Sequence, residues 1–556
     1  MVAFPSEVII PLRGAPLIVA LALASCTAMG MMASRADSAV TDGLPPIVPL
    51  PRFVTRGSGT LRLPASLAVE AHDASDASEE DVAASIVAHL RDRGVRARIG
   101  SAKSAITIRL SDHTADARLG REGYILDVSR SGVTISANAG AGLFYGLQTF
   151  EQLSRERPLR SVPFVHIVDW PQYGWRGIHL DVSRHFFPVT VVERYIDIAA
   201  RYKLNTFHWH LTDDQGWRLQ IPRYPRLTSV GGCRVGSQAG GEDSTATDHR
   251  RYCGSYTQNE VREVVAYAAR RFVRVVPEIE MPGHSVEALA AYPWLACRPG
   301  TYRVRELWGV STEVMCPTER TFRFIDDVVG DVVHLFPGAY VHVGGDEVPK
   351  GAWRKSPAVL QLRAREHLRS YEDVQAYFTR RVEALVKAHQ RRIVAWDDVL
   401  SGRVSRSATI MAWHGTPAGV VAAKRGNDVV MTPDPPLYFD AYQAKAQREP
   451  LAFGGLTTLG MVYAYDPMPA GLSASQARHI LGEQANLWTE YVATPRHLWY
   501  MLLPRELALA EACWTPRPRM NYADFTRRIV PELQRLSDEK VTYRKTLPLA
   551  NNGLKK

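Results

Sequence analysis

The chain carries two hydrophobic rhythms, and the change from one to the other divides it. From about Pro45 to Val165, short alternating stretches stand beside amphipathic ones. Val82, Ile86 and Leu90 recur at helical spacing behind Ser78 and Asp81, and Gly94 supplies the stop. "YILDV" and "VTISA" flank "SRSG" and predict a hairpin, and "GLFYGLQTFEQL" predicts a helix packed on it. Together these describe a small α+β unit. Beyond Asp169 the pattern becomes short apolar runs separated by helical segments. The candidate strands are "GIHLDV", "NTFHWHL", "VRVVPEI", "YVHVGG", "RIVAWDD", "TIMAWH", "DVVMTP" and "ILGEQANLW". Helices fit most of the gaps, among them Val191 to Tyr202, Asn259 to Phe272 and Tyr371 to His389, so a (β/α)8 TIM barrel is the economical α/β fold. One departure is expected between Asp398 and Thr409, where there is little room for a helix. The expected domain map is 1–26 export signal, 27–45 tether, 46–166 α+β domain, 167–540 barrel and 541–556 tail.

Composition agrees with two domains. The 556 residues are 46% hydrophobic and 22% charged, enough to bury a large core. Near the start, Arg13 precedes an apolar run from Ala15 to Ala24 that is too short to span a bilayer of about 30 Å but suits a signal peptide. The run ends in "LASC", which resembles a bacterial lipobox and makes Cys26 a lipidation candidate; the alternative is ordinary cleavage near "MGMMASRADSA". The protein is therefore expected to be exported, either lipid-anchored in the periplasm or outer membrane, or secreted. A net charge of +10 is spread without a Lys/Arg block, which argues against a nucleic-acid partner and leaves a lipid anchor as the one route to a membrane. Cys233, Cys253, Cys297 and Cys316 lie in loop-like sequence and are paired here as Cys233–Cys253 and Cys297–Cys316, in keeping with an oxidising compartment; Cys513, in a helical run, reads as a buried thiol.

Nearly every candidate strand ends in polar or aromatic residues: "DVSRHF", "HLTDDQGW", "EIEMPGH", "GGDE", "WDD", "WH", "PDPPLYFD" and "NLWTE". Barrel enzymes keep their active sites at this end of the strands. Flat aromatics beside carboxylates suit a sugar, whose C–H faces stack on rings while its hydroxyls bond to charged groups. A glycosidase needs an acid for the leaving oxygen and a group that stabilises a positive anomeric carbon. The rival reading is a metal site, because His208 and His210 form an H-x-H on one strand. The later strand ends carry Trp, Tyr and acids where a metal hydrolase would supply more ligands, which favours a barrel-filling role for the two histidines.

"WRGIHLDVSRHF", "NTFHWHLTDDQGWRLQI", "PEIEMPGH", "HVGGDE", "LYFD" and "NLWTEYV", in this order, resemble the family 20 glycoside hydrolases, the β-N-acetylhexosaminidases. The resemblance runs from about Pro45 to Trp514. It implies retaining, substrate-assisted removal of terminal β-linked N-acetylglucosamine, with N-acetylgalactosamine as a second sugar, without a cofactor or metal. Glu347 then matches the general acid/base, and Asp346 the carboxylate that orients the substrate's acetamido nitrogen. It follows that Glu347 is expected to have a raised pKa and Asp346 to stay ionised. Arg184 matches a ligand of the C3 and C4 hydroxyls. Trp396, Trp413 and Trp488 match the pocket walls, Tyr438 a donor to the acetamido carbonyl, and Asp440 and Glu490 hydroxyl ligands. Asp213 and His284 match a dyad that tunes the acid. Glu280 stands where many relatives carry Asp, so its contact is left open. Two other readings are kept: a glycan-binding protein on the same fold without catalysis, and the metal-dependent hydrolase.

Overall fold

The structure, a computed structural model, describes residues 46–71, 77–101, 107–111 and 116–545. The signal and tether readings, Cys26 included, and the last part of the expected tail lie outside these residues.

The first domain is a seven-stranded sheet: β1 Phe53–Arg62, β2 Ser66–Ala71, β3 Arg96–Ile99, β4 Thr107–Ser111, β5 Tyr124–Ser129, β6 Gly132–Ala137 and β7 Ser161–Asp169, in the order β1-β7-β5-β6-β4-β2-β3. The expected hairpin is β5–β6, antiparallel, with Ser129 opposite Gly132. Helices α1 (Ala77–Asp92) and α2 (Gly140–Leu153) lie against the sheet, and Val82, Ile86 and Leu90 of α1 are buried. Ser78 falls inside the first turn of α1 and not ahead of it, because the helix begins earlier than the capping pattern suggests. A side chain at Gly142 would meet the carbonyl oxygen of Gly123 at 2.2 Å, so α2 can approach the sheet only with glycine there. β7 continues to Asp169, past the expected boundary at 166.

Eight parallel strands close the second domain into a barrel: Trp175–Asp181, Thr206–His210, Arg274–Glu278, Tyr340–His342, Arg392–Trp396, Thr409–Ala412, Val429–Met431 and Ile480–Ala485. The first and eighth strands pair and complete the ring. Helices cover the outside and side chains fill the inside, so every residue of the first strand is buried. The three longest expected helices form as Val189–Arg201, Gln258–Ala269 and Tyr371–Ala388. In the short gap after the fifth strand the chain makes only a 3-10 turn, Asp397–Ser401. Both expected disulfides are present, and Cys513 is a buried free thiol. Beyond Asp538, where the last helix ends, the chain stays attached: Val541 is buried and the amide of Arg544 donates to the carbonyl of Leu503.

A charged seam joins the domains at the bottom of the barrel. Arg176, fully buried in the first barrel strand, makes a two-pronged pair with Glu122 at 2.7 and 3.0 Å and also donates to the carbonyls of Lys203 and Tyr173. Asp169 accepts from Trp514 and Tyr124 at 2.8 Å, and Lys203 lies 3.4 Å away. Removing one member of such a buried pair leaves the other charge unanswered. Arg176→Ala should therefore cost about 3–5 kcal/mol of unfolding free energy, read as a lower urea midpoint, whereas the exposed Arg223→Ala should cost under about 1 kcal/mol.

Candidate active site

The paired acids sit on a turn that ordinary residues would resist. The fourth barrel strand stops at His342, and the chain then takes left-handed backbone at Gly344 (φ 62°), Gly345 (φ 94°) and Glu347 (φ 45°). Glu280, at the end of the neighbouring strand, explains the first glycine. Its carboxylate lies where a side chain on Gly344 would be, 1.8 Å from an ideal Cβ, and accepts the amides of Gly345 (2.9 Å) and Met281 (3.2 Å). Glu280 thus braces the turn from behind. Asp398 braces it from the other side, accepting the amide of Glu347 at 3.2 Å and the indole N–H of Trp413 at 2.8 Å. A side chain held at positive φ in this way is strained backbone tied down by its surroundings. The turn also sends the two neighbours in different directions: the Glu347 side chain is 41% exposed and that of Asp346 14%.

A line of close polar contacts runs behind Glu347. His284 Nε2 is 3.2 Å from Glu347 Oε2 and its Nδ1 is 3.3 Å from Asp213 Oδ1. Asp213 also takes Arg184 Nη2 at 2.8 Å and His210 Nε2 at 3.0 Å on its other oxygen. The structure therefore brings Asp213, His284 and Glu347 together as the resemblance implies.

The remaining residues form a cup. Arg184, stacked over the Trp488 ring at 5.1 Å, is held by Gln215 (2.9 Å) and Asp181 (3.3 Å) and reaches Glu490 at 3.7 Å. Trp488 lies 5.9 Å from Trp396 and 6.4 Å from Tyr438, and Tyr438 lies 6.3 Å from Trp413, so the four rings form one continuous band. Trp396 is 1% exposed, faces the barrel core and donates to Glu278 at 2.9 Å; it is the floor more than a side wall. Three carboxylate oxygens, Asp346 Oδ1, Asp440 Oδ1 and Glu490 Oε2, are buried without a hydrogen-bond partner. Buried acceptors left open in a polar cup invite N–H and O–H donors from a ligand.

Sequence reasoning missed several supports. Asp398 stands in "WDD", but alternation cannot tell which of two adjacent acids a turn will aim inward. Arg234 offers no pattern: it donates to the carbonyls of Arg184 (2.7 Å) and Gln215 (3.2 Å) from a loop closed by Cys233–Cys253. That loop is tied in turn to the Cys297–Cys316 loop, through Gln238 N to the carbonyl of Glu306 (2.8 Å) and Trp308 N to Gln238 (2.8 Å). His208 and His210 turn into the barrel, where with His342 they surround Glu278; His208 Nε2 is 3.1 Å and His342 Nδ1 2.7 Å from its carboxylate, and His210 Nδ1 pairs with it closely. These imidazoles answer one buried carboxylate, the barrel-filling role.

The electrostatics of the cup differ from the expected ones. Glu347 lies below the usual carboxylate range, because His284 donates to it, and Asp346 is pushed up to about 7 by burial, against the pull of His284 and with Asp398 and Glu278 adding to the push. Glu347 is thus set low and its neighbour Asp346 high. Tyr438, Asp440 and Glu490 are all raised, first by burial.

Comparison with known proteins follows this geometry. The chain matches the model of the glycosyl hydrolase family 20 catalytic domain over residues 173–517 and of that family's domain 2 over 44–170. It is 44% identical over 473 residues to a β-hexosaminidase of Porphyromonas gingivalis, covering 83% of this chain and 59% of that protein. It is 38% identical over 394 residues to one of Vibrio furnissii, covering 70% and 64%. The chain thus spans less than two thirds of either relative's length. Among solved structures, an exo-β-N-acetylglucosaminidase of Vibrio harveyi superposes with a TM-score of 0.79 at 31% identity, covering 90% of this chain and 78% of that one. A β-N-acetylhexosaminidase of Streptomyces coelicolor gives 0.77 at 30%, covering 91% and 98%.

The two shifts should respond oppositely to two substitutions. Asp398→Asn removes a negative neighbour and should lower the pKa of Asp346, whereas His284→Gln removes the donor to Glu347 and should raise the pKa of Glu347, each by about one unit in carboxyl 13C titrations of the labelled protein.

Proposed function

Because the chain belongs to glycosyl hydrolase family 20, we propose that it is an exo-acting β-N-acetylhexosaminidase that releases terminal β-linked N-acetylglucosamine, and N-acetylgalactosamine as a second substrate, from oligosaccharides or glycoconjugates. The observation that carries this reading is the division of labour on one turn. Asp346 holds an open buried oxygen toward the Trp413–Tyr438 side of the cup, while Glu347 faces outward on a histidine. The structures of the Vibrio harveyi enzyme and of a Streptomyces plicatus β-hexosaminidase each hold N-acetylglucosamine, in keeping with a cup of this kind.

The sugar's acetamido N–H donates to Asp346 and its methyl rests on the tryptophan wall, which presents the acetamido carbonyl oxygen to C1. That oxygen attacks C1 as the bond from C1 to the leaving oxygen breaks, and Glu347 gives its proton to the departing oxygen. Positive charge that develops on the amide nitrogen is offset by Asp346, so the product of the first step is an oxazolinium ion on a carboxylate. Water then attacks C1 from the side the leaving group vacated, and Glu347 takes its proton. The amide is restored and configuration at C1 is retained, with the substrate's own amide in place of a protein nucleophile. Arg184, Asp440 and Glu490 supply the donors and acceptors for the ring hydroxyls.

Substrate binding also reconciles the pKa shifts with these roles. An amide N–H on Asp346 favours its charged form, and a sugar covering Glu347 removes the water that favours its ionised form. The two disulfides favour an oxidising compartment outside the cytoplasm, which is where we place the protein, with Cys26 as a lipid attachment point.

Three outcomes test this. Glu347→Gln should lower kcat by at least 100-fold (about 10²–10⁴, the worth of a general acid) on a disaccharide with a poor leaving group. Asp346→Asn should cost roughly 10²–10³ in kcat, and a substrate lacking the 2-acetamido group should hardly react with the intact enzyme; full turnover by Glu347→Gln would overturn the reading. Finally, Asp346 must be ionised to act, so activity falls as pH drops through its pKa. The bound amide lowers that pKa from about 7, so in kcat, which reports the substrate-bound protein, this fall should come below pH 7.

A further inference from the structure

Beneath the cup, a line of side chains joins the barrel core to the acid. Glu278, at the end of the third barrel strand, pairs with His210 Nδ1; His210 Nε2 is 3.0 Å from Asp213; Asp213 is 3.3 Å from His284; and His284 is 3.2 Å from Glu347. Every member except Glu347 is buried, and each imidazole lies between two carboxylates. We propose that His210 is a positioning residue for the general acid, anchored by Glu278 and acting through Asp213 and His284 to set the pH at which Glu347 loses its proton.

The geometry requires a particular protonation pattern. An imidazole that bridges two carboxylates through both nitrogens is satisfied only when both carry hydrogens, so His210 is an imidazolium. Its pKa is pushed up to about 10, against burial, by Glu278 and Asp213. His284, between Asp213 and Glu347, is raised for the same reason. The line then alternates in sign from Glu278 to Glu347. The other charged or titratable groups facing it are also accounted for. Arg184 lies on Asp213 and reaches Glu490; Asp214 is 3.6 Å from His284, with Arg305 and Glu287 near it; Asp346 is 3.8 Å from His284; and His179, His208 and His342 crowd Glu278 and His210. Glu280 and Asp346 also feel the charge of Glu278. Within this set, His210 is the positive charge that shares an Asp213 oxygen with Arg184, and its loss leaves the surroundings of His284 and Glu347 more negative. A more negative surrounding raises both pKa values, so Glu347 keeps its proton to higher pH.

The proposal rests on Glu347 being the general acid, and the experiment separates the two. His210→Gln keeps a polar side chain of similar length but cannot carry charge. The kcat profile against pH, which reports the substrate-bound protein in which the covered Glu347 sets the basic limb, is measured for this variant and the wild type on N,N′-diacetylchitobiose, whose leaving group needs a proton, and on a nitrophenyl N-acetylglucosaminide, whose leaving group hardly does. The expected result is a basic limb moved up by about one unit on the disaccharide, with little movement on the nitrophenyl substrate. A uniform loss of kcat on both substrates with the limb unmoved would mean a purely structural role and overturn the proposal, as would a limb moved down. Wild-type protein that releases no sugar from either substrate defeats the glycosidase reading itself, a separate outcome. Should His210→Gln fail to fold, wild-type protein labelled at histidine 13Cε1 decides: at least two imidazolium resonances persisting at pH 8 support it, and fewer than two overturn it.

Discussion

One carboxylate, Asp213, holds the cup in register. It stands just past the second barrel strand and receives Arg184, His210 and His284 on its two oxygens, and Asp214 adds its own amide at 2.7 Å. A buried anion so surrounded is held far below the usual carboxylate range, chiefly by Arg184 and His284 overcoming burial. Arg184, which the proposed function assigns to the sugar's hydroxyls, and His284, which lies on the proposed acid Glu347, therefore share one anchor. Binding geometry and proton supply cannot be adjusted independently, because a displacement of Asp213 moves both.

The barrel supplies that anchor with rigid neighbours. Its strands present alternate residues inward, and at their upper ends those positions carry histidines, acids and tryptophans in contact with one another. Glu278 pulls three imidazoles and the Trp396 indole around itself, so the floor of the cup is fixed from below by hydrogen bonds and from the sides by ring contacts. The rim is built differently. Two disulfide-closed loops are laced to each other by backbone and amide bonds and reach the floor through Arg234, which grips the backbone of Arg184. Among the described residues the first domain supplies none of the cup's side chains, and its charged seam steadies the opposite end of the barrel.

Much of this was legible in the residues. Parallel barrel strands are apolar on both faces, so all eight stood out as short runs, and their polar ends marked the face on which chemistry lies. The turn at Asp346 and Glu347 was legible as a place but not in its electrostatics, because burial and the His284 hydrogen bond depend on residues distant in sequence. Asp398 and Arg234 were not found for a similar reason: one is one of two adjacent acids, the other a lone arginine in a loop, and neither takes part in a periodic pattern. The strand that runs to Asp169 was not legible either, because Asp169, a buried acid held by Trp514 and Tyr124, looks like a linker residue when read alone.

The glycine at 344 limits how this site can drift. Two separate causes exclude a side chain there: the backbone is left-handed, and the Glu280 carboxylate already fills the volume. Shortening residue 280 would free the space without relaxing the backbone, so no single compensating change makes the position permissive. Gly345 is bound in the same double way, by its φ of 94° and by Val399 Cγ1 at 2.8 Å from an ideal Cβ. The turn that aims the catalytic pair is thus closed to gradual remodelling. Under the proposed function, room for divergence in substrate choice lies in the laced rim loops, where exposed residues such as Val235 and Val310 can change without disturbing the turn.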